Sequence, residues 1–336
     1  MTDAKAPEPR TPGPSCLTGI LDAAALMLAF ISLLGFFGAW NCFVDLLAHF
    51  RVQYALALAA LILVALVMRA PRAFVIGTLA LVLNAAVIVP LFVPLGGVID
   101  DTVPPLKIAS FNVLVVNRRF DEVANFLLGE NADLILLTEV DDEWLSAMSM
   151  KLDGYRLVEG SGRERTFGIA LFAREAAEGL VVNTAERRDI TSGVAEVPAI
   201  IADLRWHEQP LALLGMHTCT PLTERTAARR DAELAAAGRW SIEQQAHGRA
   251  VIALGDFNAT PWSHAFRRLE SEGKLLNSQR GFGIQASFKS NWPRLLGIPI
   301  DHCLHSSELR VLERIVEPNG YGSDHRPLVV TVGWLE

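Results

Sequence analysis

The sequence predicts an α/β domain preceded by three transmembrane helices, and three observations predict it. The 336 residues are 51% hydrophobic, and the excess lies before about residue 100, so the chain divides into two unlike regions. Three apolar runs in the first region each reach the ~17–25 residues that a helix needs to cross a bilayer. From Leu106 onward, short apolar runs suited to buried strands alternate with segments of helical period.

Residues 1–16 hold Pro7, Pro9, Pro12 and Pro14 among mixed charges, which predicts a disordered tail. The first apolar run spans 17–40 and contains Asp22. The second spans 52–68, between Arg51 and Arg69. The third spans 73–98, with Asn84 and Pro90 inside. A helix satisfies its own backbone polar groups, so each run can span lipid without water. The competing reading is three buried helices of a soluble core, but little polar periodicity marks a wet face. A cleavable signal peptide fits poorly, because the first run is long and two more follow it. The expected organisation is a tail over 1–16, a transmembrane region over 17–99 that meets the lipid bilayer, a linker over 100–105 and a domain over 106–336. Pro104 and Pro105 stiffen the linker's exit.

Orientation follows the Lys/Arg bias. With three spans, Lys5, Arg10, Arg69 and Arg72 share one side, while Arg51 and Lys107 share the other. The tail is expected inside and the domain outside: a multi-pass protein of the cell inner membrane with a periplasmic domain.

In the second region, 106–114 reads as a buried strand ending near Asn112. Residues 120–131 have helical spacing, with Phe120, Val123, Ala124, Leu127 and Leu128 on one face. Residues 132–140 form an apolar strand ending in Glu139, and 168–174 another strand. Residues 198–206 and 210–218 read as a hairpin about 207–209, and 224–245 as a helix. Residues 249–261 form a strand running into a polar loop, 297–306 a strand, and 323–334 a loop and a final strand.

A polar or ionisable residue stands at the tip of one apolar strand after another: Asn112, Glu139, His217, Asp256 with Asn258, Asp301, and Asp324 with His325. Each alone reads equally well as an isolated loop residue. Together they fit a fold that gathers strand ends into one cleft on a rigid scaffold.

Composition narrows the partners. Of the formal net charge of -7, the region from Pro104 carries most, with 25 Lys+Arg against 31 Asp+Glu. An acidic domain lacks the broad basic footprint of a strong nucleic-acid binder. Cys16, Cys42, Cys219 and Cys303 form no CxxC pair, which argues against structural zinc. Cys219 and Cys303 each follow a motif strand closely, and an oxidising compartment would permit a disulfide between them. No protein partner is expected.

The segments SFNV, LTEV, MHT, GDFNATP, IDH and SDHRP occur in the order found in the endonuclease/exonuclease/phosphatase (DNase I-like) family. The chain resembles that family over nearly all of 106–334, and GDFN and SDHRP are the most discriminating matches. The family includes DNase I-like nucleases, abasic-site nucleases, inositol-polyphosphate phosphatases and neutral sphingomyelinases. The resemblance implies a four-layer sandwich of two packed mixed β-sheets flanked by helices. It also implies metal-dependent hydrolysis of a phosphate ester, whether of a lipid head group, a small molecule or a nucleic acid.

Such chemistry needs charge neutralisation, an activated water and help for the leaving oxygen. Mg²⁺, or Mn²⁺ in its place, takes carboxylate and amide oxygens. Glu139 is the best candidate ligand, Asn112 could add an amide oxygen directly or through water, and Asp324 could complete the site. The resemblance implies that Asp301 partners His325, which would act as general base or bind a phosphoryl oxygen. It also implies that His217 assists at a phosphate oxygen or the leaving group. Asp256 would orient or deprotonate the attacking water. Asn258 would donate to the phosphoryl oxygen, both side chains pointing the same way if the tip is extended. Gly255 would permit close approach of backbone to substrate.

His302 follows Asp301, so on a strand it should face away. His49, His207, His247, His264 and His305 lack motif support and read as structural. Segments 156–167 and 280–296 are where substrate choice is expected, with Arg163, Arg165, Lys289 and Arg294 as candidate phosphate contacts. An extracytoplasmic nuclease of the same fold and a non-catalytic, membrane-tethered domain that binds a phosphate ligand are the alternatives.

Overall fold

The computed structural model describes residues 16–162, 167–191 and 197–336. Nearly all of the expected tail, together with Arg163 and Arg165, lies outside the described residues. The first region folds as helices α1 (Cys16–Leu34), α2 (Cys42–Ala48), α3 (Arg51–Val67) and α4 (Pro71–Ile88), the last continued by a 3₁₀ turn over Val89–Phe92. Asn41 caps α2 by accepting from the Phe43 N–H, and Pro71 starts α4 where a missing N–H is harmless. Helix α4 packs against both α1 and α3. By length and composition α1 and the extended α4 could each cross a membrane, and the bent pair α2–α3, at 58°, would make a third span.

One end of this bundle is polar inside. The Arg51 guanidinium donates to the Ser32 carbonyl (2.5 Å) and the Asn84 amide oxygen (3.3 Å), and it lies 4.0 Å over the Phe36 ring. Arg51 is therefore not the free loop charge that the orientation count supposed. It is a buried tie between α1, α3 and α4.

The second region begins with β1 (Leu106–Asn112), α5 (Phe120–Glu130), β2 (Leu134–Thr138), α6 (Asp142–Lys151), β3 (Tyr155–Ser161) and β4 (Ile169–Arg174). It continues with β5 (Leu180–Arg188), β6 (Ala199–Trp206), β7 (Gln209–His217), α7 (Glu224–Ala246), β8 (Ala250–Asp256) and α8 (His264–Gly273). It closes with β9 (Leu276–Asn277), β10 (Asp301–His305), β11 (Leu309–Val316) and β12 (Leu328–Trp334). One sheet runs β11-β12-β1-β2-β4-β3 and the other β5-β6-β7-β8-β10-β9. Each is antiparallel except for one central parallel pair, β1 with β2 and β7 with β8, whose connections contain α5 and α7. Both sheets are thus mixed, and the four layers expected from the resemblance are present.

Period two explains the layers. Ile108, Leu134 and Leu136 join Leu213, Ile252 and Leu254 between the sheets. The alternate residues Phe111, Ile135 and Leu137 face Val123, Leu127 and Trp144 of α5 and α6. Leu214 and Val251 face Leu234, Trp240 and Phe266 of α7 and α8. Strands buried on both faces read as continuous apolar runs, which is why their sequences show little alternation. Each such Leu or Ile contributes about 1.5–3 kcal/mol by leaving water.

The segment expected as a linker is pinned. Ile99 bridges Leu335, the Asp100 N–H donates to the Trp334 carbonyl, and Trp206 Nε1 donates to the Pro104 carbonyl. All four cysteines are free, Cys219 and Cys303 among them, so the permitted disulfide is not formed.

The two regions are docked. Asp45 of α2 pairs with Arg230 of α7 at 3.0 Å, and both side chains are buried. The other Asp45 oxygen accepts from the His264 N–H at the start of α8 (2.6 Å). Gln53 donates to the carbonyls of Leu295 and Gly297, Trp262 donates to that of Val87, and Gly281 and Gly283 donate to that of Leu91. All these contacts fall at the end of the bundle where Arg51 lies, opposite Arg69 and Arg72.

Candidate active site

Strand parity places the expected residues. Asn112 shares the face of Ile108, His217 that of Leu213, Asp256 that of Leu254 and Asp301 that of Cys303. All four partners lie in the core between the sheets. Register then aligns the tips: Asp256 stands opposite His217 on one side and Asp301 on the other. Asn112 pairs with Thr138, next to Glu139, in the facing sheet. Five strand ends from two sheets, those of β1, β2, β7, β8 and β10, therefore come together.

The distances make one connected cluster. Asn112 Nδ2 donates to Glu139 Oε1 (2.9 Å) and Asp256 Oδ2 (3.1 Å), while its amide oxygen accepts from the Leu114 N–H. His325 Nδ1 lies 2.7 Å from Asp301 Oδ2, and its Nε2 is 3.6 Å from Asp256 Oδ2. His217 Nε2 is 3.5 Å from the same Asp256 oxygen and 4.0 Å from Glu139 Oε1. Asp324 lines the same cavity, of about 410 Å³, as do Glu139, His217, Asp256, Asn258 and His325. Ser323 ties the arrangement together: its Oγ donates to the Asn112 carbonyl (2.7 Å) and accepts from the His325 N–H (3.0 Å).

Electrostatics follow from this crowding. Burial lowers the His325 pKa, but the Asp301 and Asp256 carboxylates outweigh it and push the group up to about 10. Asp256 is raised by burial and by the Asp301 charge. Asp301 is held below its ordinary value: burial opposes this, but the charge and hydrogen bond of His325 prevail. Asp256, Asp301 and His325 also form a buried group whose ligand atoms lie within 4.8 Å of one another, close enough to hold a metal ion. The His325 nitrogen nearest Asp301 is already hydrogen-bonded to it, which leaves Nε2 as the ring atom that would face an ion there.

Two local expectations need correction. The tip at Asn258 is not extended: its φ is 45°, in the left-handed region, and its N–H donates back to Asp256 Oδ1 (2.9 Å). It still reaches the cavity, because its Nδ2 is anchored on the Thr218 carbonyl and its own carbonyl on Arg230. Gly255, at φ +131°, serves the sheet rather than the substrate, since a Cβ there would meet the Met216 carbonyl oxygen at 1.9 Å. Glu139 also has positive φ, 59°, strain of a kind that concentrates at functional sites.

Other expected residues lie elsewhere. His302 faces the opposite side, its Nε2 2.8 Å from the Ala259 carbonyl and its ring 4.4 Å from that of Phe266. Burial pushes it down to about 3, so it is neutral. Lys289 lies over the Phe288 ring and Arg294 donates to the Val316 carbonyl; neither lines the cavity. The Arg326 of SDHRP is a clamp, donating to the carbonyls of Ala286, Ser290, Trp292 and Pro318.

Sequence reasoning missed part of the wall. Leu46, His49 and Phe50, from the corner between α2 and α3, line the cavity. His49 was read as structural; it is buried, with no partner for Nε2. The available signal was an ionisable pair, Asp45 and His49, at the edge of an apolar run.

The sequence model described as "Endonuclease/Exonuclease/phosphatase family" matches residues 109–325. No curated protein matches the chain. Among solved structures, the Bacteroides thetaiotaomicron mannosyl-6-phosphatase is 17% identical, with a TM-score of 0.57, covering 68% of this chain and 100% of its own. TDP2 of D. rerio, complexed with a single-strand DNA product, is 16% identical with a TM-score of 0.56, covering 68% and 99%. The human Nocturnin catalytic domain, with bound sulfate, is 18% identical with a TM-score of 0.52, covering 73% and 99%. At these identities the likeness is one of fold.

Proposed function

The chain belongs to the endonuclease/exonuclease/phosphatase family, and from that premise we propose that it is a membrane-anchored, divalent-metal-dependent phosphoesterase that hydrolyses phosphodiester or phosphomonoester bonds. The observation that carries this reading is the convergence of Glu139, Asp256 and His325 on one cavity.

The donor set fits a hard cation. Glu139 and Asp256 are two buried carboxylates bridged by one neutral amide, and Asp324 adds a third carboxylate to the cavity. Glu139 and Asp324 would hold Mg²⁺ or Mn²⁺. When bound, the ion would neutralise phosphoryl charge. Asn112 spaces the carboxylates, since its oxygen is turned to the Leu114 N–H.

Asp256 orients the attacking water and takes its proton as the new bond to phosphorus forms. His217, 3.5 Å from that carboxylate, gives a proton to the leaving oxygen as the old bond breaks. His325, charged below about pH 10 and fixed by Asp301, holds a phosphoryl oxygen. One Asn258 Nδ2 hydrogen goes to Thr218, and the other serves the oxygen that gains charge.

Anchoring is supported by the exposed apolar faces of α1, α3 and α4, such as Phe30, Leu63 and Leu79. The docked domain sits at the end of the bundle opposite Arg69 and Arg72, as three spans with those residues inside would require. On this reading residues 17–99 are the transmembrane unit and 106–336 the periplasmic catalytic unit.

The test is hydrolysis of bis-p-nitrophenyl phosphate, a diester, and of p-nitrophenyl phosphate, a monoester, by the full chain in detergent. The expected result is turnover with Mg²⁺ or Mn²⁺ that EDTA abolishes and added metal restores. Absence of turnover with either metal, or turnover indifferent to EDTA, would refute the reading.

A further inference from the structure

The cavity over the reacting residues is two-faced. Its floor is polar, built from the strand tips, but its upper walls are apolar, and part of them does not come from the α/β domain at all. Leu46 and Phe50 stand at the corner between α2 and α3, and Leu222, Phe288 and Ile298 face them from domain loops. Among the described residues that line the cavity, none is Lys or Arg. A polyanion such as a nucleic acid or a multiply phosphorylated ring needs several cationic contacts beyond the reacting phosphoryl group. Among the described residues this wall offers none to neighbouring phosphates and offers instead aliphatic and aromatic surface.

The wall continues outward. Phe50 is 43% exposed and Leu222 is 71% exposed, and both line the cavity. Phe43 of α2 is half exposed, and so are Leu295 and Leu296, which lie beside Gln53 at the start of α3. Apolar side chains thus line the cavity at Leu46, Phe50 and Leu222, and more are exposed on the same short helix and on the loop bonded to Gln53. A soluble ester gains little from such a wall. A chain that must leave lipid to bring its phosphate to Asp256 would keep apolar cover along the way.

The geometry points to a phosphate ester of a long-chain amphiphile as the substrate: its phosphoryl group enters the polar floor while its apolar chain lies between the α2–α3 corner and Leu222. This rests on the phosphoesterase reading and names the substrate class of the same site. The reaction is the same hydrolysis: water oxygen bonds to phosphorus, and the ester oxygen departs with a proton.

The experiment compares two matched pairs on the full chain in detergent with Mg²⁺. One pair is hexadecyl and ethyl p-nitrophenyl phosphate, diesters with one leaving group. The other is hexadecyl and ethyl phosphate, monoesters read by phosphate release. The long chain is expected to raise kcat/KM at least about tenfold in the pair that is turned over, since one well-buried apolar group accounts for that much. Phe50→Ser and Leu222→Ser replace exposed side chains, so both variants should fold. Each is expected to lower the long-to-short ratio by about threefold or more, whereas a merely structural defect would lower both rates and leave the ratio alone. Equal kcat/KM for long and short chains, with a ratio that neither variant moves, overturns this inference and leaves the phosphoesterase intact. Faster cleavage of a single-stranded oligonucleotide than of the amphiphile overturns it too. Failure to hydrolyse any of these esters with metal present overturns both readings.

Discussion

The helical region and the α/β domain solve the problem of apolar surface in opposite ways. In the domain, Leu136 of one sheet presses so closely on Gly215 of the other that a Cβ there would meet it at 2.5 Å. Side chains on both faces of its central strands are sealed between layers. In the bundle, α1 buries only 11% of its apolar window, and its inside is held partly by polar ties from Arg51 to Ser32 and Asn84. A bundle that hides polar groups and displays apolar ones suits a lipid solvent, whereas the domain suits water. The join is where the contrast becomes functional. There a buried ion pair, Asp45 with Arg230, joins the two regions, and Leu46, His49 and Phe50 of the first line the cavity that holds Glu139, Asp256 and His325 of the second.

The largest effect should fall on the domain side of the join. Glu139→Gln keeps the side chain's shape but removes its charge. It should lower metal-dependent turnover by about 100-fold or more and raise the Mg²⁺ concentration needed for half activity. A metal titration of the purified variant checks this; an unchanged titration would remove Glu139 from the ion's ligands. Next comes the join itself. Asp45→Ala takes from the buried Arg230 one of its two carboxylate partners, Asp231 remaining, and leaves the His264 N–H of α8 without its acceptor, and should destabilise the chain by about 2–3 kcal/mol. Thermal unfolding followed by tryptophan fluorescence reads it, and a Tm equal to wild type would mean that the two regions are not locked there.

pH should separate the regions more gently. His325 is raised in the folded state, so its contribution to stability is complete below its ordinary pKa of 6.5 and is lost as pH rises through about 10. Wild-type Tm should therefore fall across that window, and His325→Gln should flatten the fall. The smallest effect on catalysis belongs to His302→Ala. It opens a cavity beside Phe266 and should cost about 1–3 kcal/mol of stability, yet kcat per folded molecule should stay within about threefold.

The contrast also shows what a sequence discloses. Strands β1, β2, β7 and β8 were legible because burial on both faces writes them as unbroken apolar runs ending in a polar tip. The site was legible for the same reason, since tips of equal parity on adjacent strands must meet. Edge strands were not. Strand β5 (Leu180–Arg188) and β11 (Leu309–Val316) are half solvated, so their charges mask the period. Helix α8 is short and polar, and α2 is a short piece between two apolar runs, set at 58° to α3. Arg230 carries no local signature, because its role comes from docking against Asp45, far away in the chain. The Asn258 tip misled for another reason: one left-handed residue turns a strand's parity into a hook.

The most direct measurement is the rate of bis-p-nitrophenyl phosphate hydrolysis by Asp256→Ala beside wild type, as full chains of matched Tm in detergent with saturating Mg²⁺. Loss of the carboxylate that binds Asn112, faces His217 and His325, and would take the water's proton is expected to cut kcat by about 1,000-fold or more. An Asp256→Ala protein that turns over at the wild-type rate would contradict the account at its centre.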